Sequence, residues 1–309
     1  MTNNEQYAIE TVGLSKRYRR QLAVDNLTMR VANGSVFAFL GRNGAGKTTT
    51  IRILLDLLNR SSGESRMLGL DCVKGAMELR KRTGYVAEGQ RMYDWMKVDE
   101  IIWFCKGFYP TWDDAFAEEL KSKLELPGGK KVSELSRGTQ AKLALLLAMA
   151  YRPELLILDE PTAGLDVVVR RDFLEGVIEL IQEEGRTVFF SSHIVHEVER
   201  VADWVGIIDA GKMIWCSTLD DLRAKVKRVV LTFETPSRDF KVGEGSRILS
   251  VEHSGRQSVA VVQNFSEATL ALAQTLKPTD IRVEDMSLED IFCAMVGEHE
   301  YNDLGVPRW

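Results

Sequence analysis

A glycine-rich segment near the N-terminus matches the pattern G-x-x-x-x-G-K-[ST], in which every fixed position has a chemical task. Its glycines let the backbone approach an anion, and its N–H groups converge where a helix begins and the helix dipole favours negative charge. The lysine would reach the β- and γ-phosphates of a nucleotide, and the threonine after it would ligate Mg²⁺. A chance match is expected in about one chain of this length in a hundred. The predicted phosphate-binding residues are Gly41, Arg42, Asn43, Gly44, Ala45, Gly46, Lys47, Thr48 and Thr49.

Two acidic residues, Asp159 and Glu160, follow the apolar run LLIL at 155–158. Such a run is typical of an interior strand in a parallel sheet, and these sheets bind ligands at the carboxyl ends of their strands. Asp159 would hold Mg²⁺, and Glu160 would orient an attacking water or take its proton. A strand that ends in two solvated acids is common on its own. Combined with the phosphate loop, the pair predicts nucleotide hydrolysis.

Three more segments occur in a recognisable order. They are LSRGTQ at 135–140, PTAGLD at 161–166, and His193 directly after TVFFSS. They resemble the signature, the D-loop and the switch histidine of the ATP-binding-cassette (ABC) ATPases. The resemblance covers about residues 7–220 and makes the assignment highly specific.

This resemblance implies an α/β P-loop fold of the ABC type, with a mainly parallel sheet, an antiparallel β subdomain and a helical subdomain. It also implies a dimer that binds two ATP molecules, each between the P-loop, Asp159, Glu160 and His193 of one subunit and Ser136 and Gly138 of the other. Asp166 in the D-loop is placed among the nucleotide-binding residues, and Tyr18 aligns with an aromatic on which adenine stacks. The implied ligands of Mg²⁺ are Thr48, Asp159 and Glu88.

Several residues depart from the common family pattern. Glu88 stands at the position usually held by the Q-loop glutamine, where a carboxylate still ligates Mg²⁺ or water but adds negative charge beside the γ-phosphate. Arg137 and Thr139 replace a Gly and a Gln of the commonest signature, and Arg42 stands where many relatives carry Pro. Ser136 and Gly138 still supply a hydroxyl and a close-approach backbone at a helix N-terminus.

Some candidates have two interpretations. Tyr18 either stacks on adenine or packs within the β subdomain, and His196 is expected to be a solvated surface residue. A cluster of large apolar and aromatic residues follows the Q-loop position, in the region where family members bind a coupling helix of the membrane subunit. This cluster is either a docking patch or part of the core of the helical subdomain. A basic stretch is expected to be a solvated face, with anionic lipid as the weaker alternative. The cluster is Met92, Tyr93, Trp95 and Met96, and the basic stretch is Arg223, Lys225, Lys227 and Arg228.

The elements that must position these residues follow from hydrophobic periodicity. Strands are predicted at 8–12, 27–31 and 35–40, with Asn33-Gly34 as a type I′ hairpin between the last two. Helices are predicted after Lys47, across 97–126, after Ser136 and along the face of Phe173, Val177, Leu180 and Ile181. Buried strands at 155–158 and 187–190 alternate with these helices, which implies a parallel sheet covered on both sides. The C-terminal part reads as strands at 229–233 and 258–262 with helices near 266–276 and from Ser287.

Length and composition set the outer limits. The 309 residues predict about two domains, which we place at 1–220, with a helical subdomain at about 89–152, and at 221–309 as an accessory α+β domain. A net charge of -5 argues against a nucleic-acid partner. The longest markedly apolar stretch, 143–151, is too short to span a bilayer, no secretory signal is visible, and the four cysteines are scattered. We therefore expect a cytoplasmic protein, peripheral on the inner face of the cell membrane.

The leading hypothesis is the ATPase subunit of an export-type ABC transporter, with ATP and Mg²⁺ as cofactors. Its expected partners are separately encoded integral membrane subunits and a second ATPase subunit, in a homodimer or a heterodimer. Two alternatives stay open, a soluble ABC ATPase in translation or DNA maintenance and a nucleotide-sensing regulatory module. The transported substrate lies beyond these residues, because cargo touches the membrane subunits.

Overall fold

The structure is a computed structural model, and it describes residues 7–166, 170, 173–174, 176, 185–235 and 240–297. The chain divides into two compact units, Met1–Cys216 and Ser217–Trp309. The predicted helical face at 173–181 falls mostly outside the described residues. Of its four members only Phe173 is described, and it is buried.

The first unit opens with an antiparallel sheet in the order β2-β1-β4-β5. Strands β1 (Tyr7–Tyr18) and β2 (Gln21–Ala32) form a hairpin through Arg19 and Arg20, and Arg19 takes a left-handed φ of 49°. Strands β4 (Ser62–Met67) and β5 (Leu70–Asp71) extend the sheet on the other side of β1. This hairpin brings residues 21–23 to the site described below.

A second sheet, in the order β10-β9-β3-β8-β7-β6, is parallel from β9 to β6. Every residue of β3 and β7 is buried, because interior strands of a parallel sheet are covered on both faces. The predicted parallel sheet is therefore confirmed. Its strands are β3 (Val36–Leu40), β6 (Thr83–Val86), β7 (Leu155–Asp159), β8 (Thr187–Ser192), β9 (Trp204–Asp209) and β10 (Lys212–Thr218).

The predicted hairpin at Asn33-Gly34 is wrong, because these residues connect strands of different sheets. β2 pairs with β1, whereas β3 pairs in parallel with β8 and β9. Gly34 has a φ of 73°, but Asn33 is not among the described residues with positive φ, and a type I′ turn needs both. The fully apolar β3 is buried on both faces in the parallel sheet, which a hairpin partner in the half-exposed first sheet would not provide.

Helices of the first unit pack against both sheets. The region predicted as helical across 97–126 is two helices, and Asp113 starts the second by accepting a hydrogen bond from the Phe116 N–H. The next helix begins directly after Ser136 as predicted, and Ser136 caps it, since its Oγ accepts from the Thr139 N–H at 3.1 Å. The helices are α1 (Lys47–Leu54), α2 (Ala76–Arg82), α3 (Val98–Lys106), α4 (Asp114–Lys123), α5 (Arg137–Met149) and α6 (Val195–Val201).

The core of this unit lies between the two sheets and α1. Phe37 and Phe189, on adjacent parallel strands, stack with ring centroids 5.6 Å apart, and Phe39 packs on Phe189 at 5.5 Å. Ile51 and Leu54 from α1 join the same buried cluster. The predicted apolar face of α1 thus fixes the glycine loop, because that loop ends where the helix begins.

The second unit is an antiparallel sheet in the order β12-β13-β11-β14 with three helices among its described residues. Its core is an apolar cluster that includes Val229, Leu231, Ala260 and Val262. Strands β12 and β14 escaped sequence analysis because most of their side chains are exposed and polar. The elements are α7 (Leu219–Lys225), β11 (Val226–Thr232), β12 (Arg247–Ser254), β13 (Gln257–Gln263), α8 (Glu267–Thr275), β14 (Asp280–Glu284) and α9 (Leu288–Val296).

The basic stretch of this unit is largely neutralised within the unit itself. Lys225 pairs with Asp221 at 3.0 Å, Lys227 with Asp285 at 2.5 Å, and Arg228 lies 3.8 Å from Asp290. Charges paired in this way leave little net attraction for anionic lipid. The contacts favour the solvated-face interpretation.

Candidate functional site

The glycine loop connects the carboxyl end of β3 to the first turn of α1. Gly46 immediately precedes the helix with a φ of 110°, and a Cβ built there would lie 2.5 Å from the carbonyl oxygen of Ala23. Gly44 also has a left-handed φ, of 80°. These two backbone conformations are accessible chiefly to glycine, and they bend the loop so that its N–H groups and the helix N-terminus face one point.

Lys47 is the first residue of α1, directly after the loop, and it is 5% exposed. Its Nζ donates hydrogen bonds to the carbonyl oxygens of Gly41 at 2.6 Å and Arg42 at 3.2 Å. It also lies 3.0 Å from Oε1 of Glu160, a contact with the distance of an ion pair but without hydrogen-bond geometry. The loop therefore orients a buried cation beside the carboxylate at the end of β7.

Asp159 is buried at the carboxyl end of β7. Its Oδ1 accepts hydrogen bonds from Ser191 Oγ at 2.7 Å and from Thr48 Oγ1 at 3.1 Å. Burial raises the pKa of the Asp159 carboxyl, the two hydroxyl hydrogen bonds oppose that rise, and the charge of Glu160 adds to it. The hydroxyl of Thr48 and the carboxylate of Asp159 consequently meet at one point beside the loop.

Glu160 is 6% exposed and has a backbone φ of 47°, which is unusual for a residue with a Cβ. Its N–H donates to Ser191 Oγ at 2.9 Å, so one hydroxyl holds both neighbouring acidic residues. Its Oε2 lies 2.8 Å from Nδ1 of His193, a side chain that is 39% exposed. Lys47, Glu160 and His193 thus form a continuous polar chain across the ends of β3, β7 and β8.

A cleft of about 460 Å³ opens over this arrangement. Glu88, at the Q-loop position, lines it together with Glu160 and His193. Gly41 and Ala45 are buried beneath the loop, whereas the Arg42 side chain is exposed. The other lining residues are Gln21, Leu22, Ala23, Asn43, Gly44, Gly46, Lys47, Thr48, Thr49, Ala210 and Gly211.

Outside the glycine loop, four predicted nucleotide-binding residues do not line this cleft within the described part of the chain. Tyr18 is 46% exposed on the β1–β2 hairpin, with Lys16 Nζ 5.1 Å from its ring centre, so the ring is not packed in a core. Ser136 and Asp166 are exposed, and Gly138 is buried in the first turn of α5. The exposed signature and D-loop residues, Ser136 and Asp166, thus lie outside the cleft of their own chain.

Ser191 is a residue of the site that sequence analysis missed. Its hydroxyl is fully buried and fixes both Asp159 and Glu160. A signal was present, because two hydroxyl residues end an otherwise apolar strand directly before His193. Hydroxyls at the end of a buried strand need partners, and carboxylates on the adjacent strand provide them.

The donor set at Thr48 and Asp159 fits Mg²⁺, which prefers hard oxygen ligands and is bound by one or two protein groups together with substrate phosphates. Among residues 7–297 that the structure describes, no group of three or more His, Cys, Asp or Glu forms a metal cluster. The fit is therefore to a cation shared with a nucleotide, rather than to a cation held by the protein alone.

The fold and the site define a class of protein. At the strand ends of the parallel sheet lie a glycine loop, a buried lysine, two carboxylates and a histidine. This arrangement is that of a P-loop nucleoside triphosphatase.

Comparison with known proteins narrows this class. A family model described as "ABC transporter" matches residues 24–163. The chain is 32% identical to the bacitracin transport ATP-binding protein of Bacillus licheniformis, over 94% of this chain and 97% of that protein. It is 30% identical to a daunorubicin resistance ATP-binding protein of Streptomyces coeruleorubidus, over 94% and 96%. The solved structure of an ATP-binding subunit of an ABC transporter matches with a TM-score of 0.63 at 28% identity, over 70% of this chain and 92% of that one.

The chain belongs to the ATP-binding subunits of ABC transporters, and it is an ATPase. The predicted fold class and activity are confirmed. Among the described residues, no helix has both the length and the apolar character needed to cross a bilayer.

Proposed function

We propose that the cleft at the end of β3, β7 and β8 binds ATP with Mg²⁺ and hydrolyses it with Glu160 as the general base. The observation that carries this proposal is the chain of Lys47, Glu160 and His193, in which Glu160 lies 3.0 Å from Lys47 and 2.8 Å from His193. A carboxylate held between a cation and an imidazole is fixed in orientation, as a base that accepts a proton from a positioned water must be.

The roles of the remaining residues follow from their positions. The N–H groups of the glycine loop and Lys47 bind the phosphates, and Thr48 and Asp159 hold Mg²⁺ together with Glu88, which lines the same cleft. When bound, Mg²⁺ neutralises negative charge on the phosphate oxygens. Ser191 keeps Asp159 and Glu160 in register, and His193 orients Glu160 or hydrogen-bonds the γ-phosphate.

We also propose that the working unit is a dimer in which Ser136, Gly138 and Asp166 complete the site of the second subunit. Support comes from the exposure of Ser136 and Asp166, since the described signature and D-loop residues do not line the cleft of their own chain. Tyr18, on the hairpin that supplies residues 21–23 to the cleft, would stack on adenine at its rim. In this proposal residues 1–220 form the ATPase domain, with a helical subdomain at about 89–152, and 221–309 form an accessory domain.

The partner proposed for the helical region is an apolar helix of an integral membrane subunit, at the inner face of the cell membrane. Four aromatic side chains form a surface there. The ring centroids are 6.0 Å apart between Tyr93 and Trp95, 5.7 Å between Tyr93 and Phe104, and 5.2 Å between Phe104 and Phe108. Of the predicted docking cluster, Tyr93 and Trp95 are 52% and 69% exposed, whereas Met96 is buried. An apolar groove of about 340 Å³ lies beside it and includes Cys105 and Tyr109. The aromatic surface consists of Tyr93, Trp95, Phe104 and Phe108.

The relatives named for bacitracin transport and daunorubicin resistance support export as the direction of transport for this chain. They favour transport over the two alternatives, translation or DNA maintenance and nucleotide sensing. Fractionation of the native protein tests this choice, because association through an integral membrane partner supports transport, and association with ribosomes or nucleoid contradicts it.

Replacement of Glu160 by Gln tests the proposed chemistry. The amide keeps the size of the side chain but cannot accept the proton, so we expect turnover to fall by about 10²- to 10⁴-fold while ATP binding persists. The variant should accumulate as an ATP-bound dimer in gel filtration. Hydrolysis within a factor of about two of the parent protein would contradict the assignment of Glu160 as the base.

A further inference from the structure

Glu197 is a buried carboxylate that the proposed reaction does not use. It lies on α6, four residues after His193, is 7% exposed, and does not belong to the described lining of the nucleotide cleft. Burial of a carboxylate is costly unless its partners supply hydrogen bonds or opposite charge. The partners of Glu197 therefore indicate what its burial achieves.

The first set of partners holds the turn at 161–166, which begins directly after Glu160. Thr162 Oγ1 donates a hydrogen bond to Oε1 of Glu197 at 2.7 Å, and Thr162 is 1% exposed. Arg170 Nε lies 3.5 Å from the same oxygen, while Arg170 Nη2 donates to the carbonyl oxygen of Leu165 at 2.9 Å. Glu197 thus restrains the beginning of the turn directly and its end through Arg170.

The second set of partners holds the loop that carries His193. Ser192 Oγ donates to Oε2 of Glu197 at 2.7 Å and accepts from the Ile194 N–H at 3.0 Å. The carbonyl oxygen of Ser192 accepts from the N–H of Gly41, the first glycine of the phosphate loop, at 3.2 Å. His193 is therefore flanked by two residues whose positions depend on the Ser192 hydroxyl.

We propose that Glu197 is a positioning residue that couples the 161–166 turn to the loop carrying His193. The inference rests on the proposed function, in which Asp166 in this turn contacts the second subunit and His193 acts at the nucleotide. When the second subunit shifts the turn, Thr162 moves the Glu197 carboxylate, and the carboxylate moves Ser192. The distance between His193 Nδ1 and Glu160 Oε2, 2.8 Å here, is the quantity that this coupling adjusts.

A purely structural role for the cluster predicts different behaviour. If Glu197 only stabilised the fold, its loss would lower the thermal midpoint and weaken ATP binding together with turnover. A positioning role affects the rate of hydrolysis while ATP binding is retained, because neither Glu197 nor Thr162 lines the described cleft. The comparison of kcat with KM separates the two roles.

The test uses the full-length protein with Thr162→Val and Thr162→Ser. Valine matches threonine in shape but has no hydroxyl, so the carboxylate loses one partner, whereas serine keeps it. We expect Thr162→Val to lower kcat by about ten-fold or more with the KM for ATP within about two-fold, and Thr162→Ser to restore most of the rate. The control is His196→Ala on the same helix, 75% exposed, which should leave kcat unchanged.

Glu197→Gln provides an independent variant, because the amide keeps the volume and one acceptor but removes the charge. We expect a lower kcat with ATP binding intact, and a double variant with Thr162→Val that is no slower than the slower single variant, since both changes break one contact. An unchanged kcat in Thr162→Val, a serine variant as slow as the valine variant, or a KM that rises in parallel with the loss of kcat would each overturn the inference. Glu160→Gln, assayed in parallel, distinguishes failure of the proposed function from failure of the coupling. If Glu160→Gln still hydrolyses ATP, the proposed catalytic site is wrong. If it is inactive while the Thr162 and Glu197 variants keep the parent rate, only the coupling is wrong.

Discussion

At the residue scale, the nucleotide site is built from short sequence motifs whose side chains contact one another although they lie far apart along the chain. Thr48 and Asp159 are 111 positions apart, and their side chains hydrogen-bond at 3.1 Å. The motif pattern could predict these residues because phosphate and Mg²⁺ binding demand fixed residue types. It could not predict Ser191 or Glu197, whose roles depend on which strand lies next to β7 and on how α6 packs.

The ionised carboxylate of Asp159 is expected to lower the stability of the folded protein. Because burial raises its pKa, the folded state holds the ionised carboxylate less readily than the unfolded chain does, and stability falls as pH rises through the folded-state pKa. Asp159→Asn keeps Oδ1 as an acceptor for Ser191 and Thr48 but removes the charge. We expect this variant to be inactive as an ATPase. Without nucleotide, it should unfold at a higher temperature than the parent protein at pH 7, and each kcal/mol of added stability should raise the unfolding temperature by roughly 2–4 °C.

Calorimetry across a pH series checks both the sign and the cause. The advantage of Asp159→Asn should shrink toward acidic pH, where the parent carboxyl is protonated in both the folded and unfolded states. A variant that is less stable than the parent protein at pH 7 would show that the ionised carboxylate contributes stability, contrary to the raised pKa.

At the element scale, what could be predicted depended on whether a segment's pattern is local. Buried strands β7 and β8, and helices α1 and α5, were predictable because continuous apolar runs and caps such as Ser136 are local signals. The predicted Asn33-Gly34 hairpin was wrong because the sheet to which a strand belongs is decided by tertiary packing. The same turn residues here connect strands of two different sheets. Strand β6 was missed because its four residues include Gly84, a weak strand former.

The aromatic surface makes a prediction at the scale of α3 and the segment before it. Trp95→Ala removes a side chain that is 69% exposed, so folding should be little affected. We expect less membrane subunit to copurify with the variant and nucleotide binding to be unchanged, because large aromatic side chains carry much of the energy of an interface.

The matched control is Val12→Ala, another exposed apolar residue, 49% exposed on β1 in the antiparallel sheet. It should copurify the membrane subunit as the parent protein does. Equal copurification with Trp95→Ala and with the parent would count against docking at the aromatic surface.

At the scale of the whole molecule, the proposed function leaves one chain without a complete site, although it contains both a phosphate loop and a signature. The described residues of the signature and the D-loop do not reach the cleft of their own subunit. The sequence predicted this division only through the resemblance to the ABC ATPases, since no local pattern states that two motifs of one chain serve different sites. In the proposed dimer, the second copy therefore completes each site.

If the protein forms homodimers, dimers that combine two different variants test whether each site is shared between the two subunits. Lys47→Ala disables the phosphate loop and Ser136→Ala disables the signature, so each variant should be inactive alone. In an equal mixture, half of the dimers pair one intact loop with one intact signature, and about a quarter of all sites should be complete. ATPase activity should return toward that fraction when the chains are mixed. No recovery, with mixed dimers verified by differently tagged chains, would contradict sites shared between subunits.

The left-handed backbone at Glu160, with a φ of 47°, has an evolutionary consequence. A residue with a Cβ in this conformation costs about 1–3 kcal/mol, and glycine or asparagine adopts it more readily. Under the proposed function, glutamate is retained at this position for its carboxylate, despite the strain in its backbone. A copy of the gene that no longer needed ATP hydrolysis would lose this constraint, and replacement of Glu160 by glycine or asparagine would then relieve the backbone strain.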